Sequence, residues 1–161
     1  MRALTPLEAA FGIALAGSVL AVVIPSFVRN LHASYVSEAT TGVAELAART
    51  AARLEAAQTT SSLPESAPLT PSNVPRGVRV RDPEGTWEHP TWRALEFKFS
   101  VPHAYSFAFD AESAPDVAKF KVTAHGDLDG DAVLSTIAID GTFKPGAAPS
   151  LSAMDVQHEI E

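Results

Sequence analysis

The sequence predicts an α+β fold, a long N-terminal helix packed on a four- or five-stranded antiparallel sheet. Three observations carry this. Residues 9–28 hold no charged residue, and about 20 apolar residues suffice for a helix to cross a bilayer's hydrocarbon core. Beyond Arg29, apolar residues recur in steps of three and four, at Leu31, Tyr35, Val36, Ala39, Val43, Leu46, Ala47, Thr50, Leu54 and Ala57, the period of a one-sided helix. In the second half the period changes to two, the mark of half-buried strands.

The first element is a helix over residues 4–58, roughly 80 Å long at 1.5 Å per residue, with residues 9–28 as its membrane span. Glu45 and Arg49 form an i,i+4 pair in the favourable order. Gly42 weakens its middle. Pro25 removes one helical hydrogen bond and favours a kink. The pairs Ala10/Ala14, Gly12/Ala16 and Gly17/Ala21 have the small-xxx-small spacing that lets helices approach closely.

Three readings fit this N-terminus. A cleaved secretory signal would use Ala14-Leu15-Ala16 as its small-x-small site, although the apolar run continues to Ile24 and Glu8 would fall inside the h-region. A plain signal anchor fits too, and Arg2 and Arg29 flank it too evenly for the positive-inside rule to orient it. The third reading starts from Glu8. A carboxylate at the head of an apolar span needs a partner, and no Lys or Arg lies one turn away. A free α-amino group on a neighbouring copy would serve, if the chain were cleaved just before Glu8.

Residues Leu4, Thr5, Glu8 and Pro25, with "IPSFVRN" around the proline, resemble the N-terminal segment of type IV pilins and type II secretion pseudopilins. The resemblance implies a leader of residues 1–3, cleavage between Ala3 and Leu4, and N-methylation of Leu4. It implies that Glu8 and Pro25 serve assembly. Ala3 stands where the family prefers glycine, and Pro6 replaces an aliphatic residue. Proline is tolerated in a helix's first turn.

The head is expected over residues 59–161. "TTSSLPESAPLTPSNVPR" (59–76) is rich in Ser, Thr and Pro and reads as a surface connection. Strands are expected in "RGVRVRD", "ALEFKFSV", "AYSFAFD", "KFKVTAH" and "STIAID". The second and third would form one hairpin across Pro102-His103-Ala104, and the last two another across an acidic turn. The helical stripe of residues 31–57 would cover the sheet's apolar face. The stretches "TWRALEFKFSVPHAYSFAFD" and "AHGDLDGDAVLSTIAIDG" resemble the heads of pilin-like proteins from myxobacteria. The tail "MDVQHEIE" is expected to lack a fixed place.

In "DLDGDAVLS", Asp127, Asp129 and Asp131 match positions 1, 3 and 5 of an EF-hand-type loop, with Ser135 at position 9. Ala132 replaces the glycine of the sharp turn, and Ala138 the final glutamate. Two readings stay open, a loose Ca²⁺ site between strands and a solvated Asp-Gly hairpin turn. No cofactor is required.

Composition narrows the function. Net charge is −7, from 19 acidic and 12 basic residues, and without a basic stripe nucleic-acid binding is not expected. The chain has no cysteine, which excludes disulfides and Cys-ligated zinc. It has no GxSxG, P-loop, HExxH or GxGxxG motif. The histidines fall on unrelated elements, with His125 expected on the outward side of a strand; Trp87 and Trp92 are expected to pack in the core or cover the sheet edge, with surface binding as the alternative. No enzyme is expected. The resemblance implies a filament subunit whose partners are other pilin subunits, a prepilin peptidase and an inner-membrane assembly machinery. It would reside in the bacterial inner membrane before assembly, and in an extracellular pilus or periplasmic pseudopilus after. The alternatives are a type II secretion pseudopilin and a signal-anchored periplasmic domain that never polymerises.

Overall fold

The computed structural model describes residues 5–158, so Ala3, Leu4 and the expected leader lie outside the described residues. Helix α1 spans Pro6–Ala57 and runs through Pro25. The chain forms two compact units that divide at Ser34/Tyr35. The second half of α1 thus belongs to the head.

In the head, Tyr35, Val36, Ala39, Val43, Leu46, Ala47, Thr50 and Leu54 are buried, in the steps of three and four read from the sequence. At the ends of that stripe, Leu31 and Ala57 are exposed. Gly42 sits mid-helix because the Phe107 ring presses on it. A Cβ at this position would lie 2.8 Å from two ring carbons.

A short 3₁₀ turn, Thr60–Ser62, leads to β1 (Ala67–Thr70). After a long excursion come β2 (Ser106–Ser113), β3 (Ala118–Gly126) and β4 (Ser135–Phe143), with the short β5 (Ser150–Leu151) and β6 (Asp155–Gln157). The strands pair antiparallel in the order β1-β2-β3-β4, and β5 and β6 both pair with β4. Strand β3 shows the alternation plainly. Phe120, Val122 and Ala124 face the core, while Lys119 and Lys121 face outward. With Phe107, Phe109, Ile137, Ile139 and Phe143 they join the stripe of α1 in one core. On the outer face Asp110 pairs across to Lys121, Lys121 to Asp140, and Glu112 to Lys119, opposite charges that suit neighbouring strands.

Several expectations fail. "RGVRVRD" and "ALEFKFSV" are not strands, so no hairpin joins residues 94–101 to β2. Residues 90–94 form a short helix, α2 (Pro90–Ala94), with Pro at its start and His89 as its cap. Glu96 follows with φ +50°. Alternation misled here because Leu95 and Phe97 are buried as wedges of a loop. Phe97 meets Trp87, Phe99 and Phe107 at ring-centroid distances of 5.6, 5.4 and 5.2 Å. The Arg49 guanidinium holds the loop by donating to the Leu95 and Glu96 carbonyls, both at 2.6 Å.

The place of the missing strand is taken by β1, inside the Ser/Thr/Pro-rich stretch expected to be only a connection. It lies at the sheet's edge, where Pro68 is tolerated because one side needs no partner. The tail is also more ordered than expected, since β6 extends the sheet beside β4 and Met154 packs against the core.

Candidate functional site

Two places merit a site reading, the head of α1 and the acidic turn. At the first, Glu8 has a partner in its own chain. Its Oε2 accepts the Thr5 N–H at 2.7 Å and the Thr5 hydroxyl at 2.8 Å, and the Glu8 N–H donates to Thr5 Oγ1 at 3.3 Å. This is a capping box, Thr-x-x-Glu, in which two otherwise orphaned donors are satisfied reciprocally. Pro6 at the first helical position completes it. The signal was readable in the sequence as Thr5-Pro6-Leu7-Glu8 before an apolar run.

Below this cap the helix is apolar on all sides. Leu7, Phe11, Ile13, Leu15, Val19, Leu20, Val22, Val23, Ile24, Phe27 and Val28 are all exposed within the chain. The segment is long and apolar enough to cross a membrane, which suits a single pass or a signal sequence. The hydroxyls of Ser18 and Ser26 donate to the Ala14 and Val22 carbonyls at 2.8 and 2.9 Å, so these polar groups are satisfied without water. Among the described residues, nothing lies within 4 Å of a Cβ placed on Gly12 or Gly17.

The acidic turn joins β3 to β4 as expected. It brings Asp127, Asp129 and Asp131 together, with one oxygen from each lying within 4.8 Å of the others. Asp127 is buried, and its carboxylate organises the loop. Oδ1 accepts the Gly130 N–H at 2.8 Å and Oδ2 the Ala132 N–H at 3.3 Å, with Arg76 Nε 3.7 Å away. Asp129 and Asp131 each accept a backbone N–H two residues on. Ala132 takes φ +76°, the left-handed conformation for which an EF-hand-type loop keeps glycine. Ser135 is not oriented as a ligand by any partner in the loop. It is buried, and its Oγ accepts the Tyr105 hydroxyl at 3.0 Å. Calcium takes six to eight oxygens, and the three carboxylates supply one each in this cluster. The turn is built on its own hydrogen bonds.

The remaining candidates are structural. Trp92 is fully buried and donates Nε1–H to Thr70 Oγ1 at 3.0 Å, while Trp87 is buried edge-on against it. His125 lies on the outer face, half-buried, with Nδ1 3.0 Å from Thr136 Oγ1. Burial pushes its pKa below the usual imidazole value.

Comparison with protein-family models, curated proteins and solved structures gave no match. The chain itself carries a 52-residue helix, apolar in its first half and packed on an antiparallel sheet in its second. The architecture is pilin-like. It places Glu8 and Pro25 in the apolar segment and the acidic turn in the head.

Proposed function

We propose that this chain is a structural, non-catalytic subunit of a type IV pilus-like filament. In this reading the apolar half of α1 first anchors the subunit in the bacterial inner membrane. A prepilin peptidase removes residues 1–3, the new Leu4 terminus is methylated, and an assembly machinery packs the helices of successive subunits together. The carboxylate of Glu8 would then neutralise a neighbour's Leu4 amine. The observation that carries the reading is the helix of the first unit, apolar on every side and headed by one carboxylate. A type II secretion pseudopilin shares every one of these features.

One observation favours a second reading. Because the capping box gives Glu8 a role within its own chain, a capped membrane tether that never polymerises would also use it. Glu8→Gln separates the two. Glutamine can keep the capping box but carries no charge. The filament reading expects Glu8→Gln to leave the protein in membranes and empty the sheared surface fraction. Normal amounts of Glu8→Gln subunit in that fraction would defeat the charge-pairing role and favour the cap alone.

A further inference from the structure

The base of the excursion between β1 and β2 holds a buried polar cluster that the proposed function does not use. His103 is fully buried, and the Asp82 side chain is 5% exposed. His103 Nδ1 lies 2.7 Å from the Tyr105 carbonyl oxygen, and Nε2 lies 2.7 Å from Asp82 Oδ2. A carbonyl oxygen only accepts, so Nδ1 must carry a hydrogen. If Nε2 were bare, its lone pair would face a carboxylate oxygen. That same oxygen already accepts the Trp87 indole N–H at 2.6 Å.

The surroundings suit a cation on the ring. Phe99 stacks on it with centroids 4.7 Å apart, offering the negative face of its π-system. From α1, Glu38 comes close, and it is engaged by the Ala104 N–H at 2.9 Å and by the Arg79 guanidinium. Arg79 in turn lies over the Tyr35 ring, 5.3 Å from its centroid. The neighbouring positive charge is thus already paired.

We propose that His103 is held as an imidazolium and that its ion pair with Asp82 is a latch closing the base of this excursion. The two arms meet there, where Val80 and His103 exchange backbone hydrogen bonds of 2.9 Å. Farther along, the excursion is fixed separately. Thr91 donates to the Glu65 carbonyl, Trp92 to Thr70, and Arg49 to the Leu95 and Glu96 carbonyls. Opening the latch therefore loosens the contact between Val80 and His103, while Gly77 stays held by the Asp127 carbonyl, Arg79 and Ala104 by Glu38, and the sheet and α2 keep their place. A buried ion pair that loses one partner leaves an uncompensated charge, which makes the latch all-or-none.

The test is ring-nitrogen NMR of the ¹⁵N-labelled full chain in detergent micelles, at pH about 7.5, where a free imidazole is mostly neutral. Two protonated nitrogens on His103 are expected. One unprotonated nitrogen would overturn the assignment. Asp82→Asn tests the latch itself. Amide exchange at Val80 and His103 and exchange of the Trp87 indole hydrogen should accelerate by more than about tenfold, with β3 amides unchanged. Uniform acceleration, or none, would mean that the pair closes nothing. Should the variant fail to fold, the nitrogen measurement alone decides.

Discussion

Glu8 and Thr5 show how one side chain can carry two duties. The capping box closes the first turn of α1, and the same carboxylate is the only charge between Arg2 and Arg29. Thr5→Val removes the hydroxyl at nearly constant shape. It should fray the first turn, seen as faster exchange of the Glu8 amide, while Thr5→Ser should not. Gly42 is a second residue with a physical reason. Gly42→Ala drives a methyl into Phe107, and such overpacking costs about 1–3 kcal/mol. A lower Tm with unchanged far-UV circular dichroism is expected. His125 gives a pH effect of definite sign. Its folded pKa is depressed by burial, so the folded head binds fewer protons than the unfolded chain. Stability is complete above the unfolded value of about 6.5 and declines as pH falls through the lower folded value. His125→Gln should remove that part of the acid slope in denaturant melts.

Among the elements, β3 and β4 were legible in the sequence because a half-buried strand with one polar face must alternate. Helix α1 was legible because its burial stripe has helical period. The excursion 77–104 misled the same rule. Phe97 and Phe99 alternate with Lys98 and Ser100 for the sake of an aromatic cluster, and Arg49, 46 residues away from Leu95, supplies the polar contact that a ladder would have supplied. No local pattern announces that. Pro83, Pro90 and Pro102 in this stretch were the available warning. Arg49→Ala should cost about 1–2 kcal/mol and loosen residues 95–97 first. The acidic turn was legible as a hairpin but not as a self-supporting one. Asp127→Ala should destabilise the head by about 1–3 kcal/mol whether or not calcium is added, since it orphans the Gly130 and Ala132 amides. If a cation also binds, Asp129→Ala should lose the calcium-induced rise in Tm and little else. An equal Tm with calcium and with chelator in the unaltered protein would leave the turn as hydrogen bonding alone.

For the molecule as a whole, the two units make different demands on their surroundings. The head from Tyr35 onward contains its own core, with the buried stripe of α1 included. A chain starting at Tyr35 should therefore be soluble without detergent and unfold cooperatively, and a need for detergent would show that the core had been misplaced. The first unit exposes large apolar side chains on every side and requires an apolar environment, which the filament account supplies twice, first as lipid and then as neighbouring helices. The measurement that meets this claim most directly is mass spectrometry of the N-terminal peptide, from sheared surface material and from membranes. The account predicts a chain beginning at Leu4, with one added methyl group, in the sheared fraction. A chain that still begins at Met1 and is confined to membranes would contradict it.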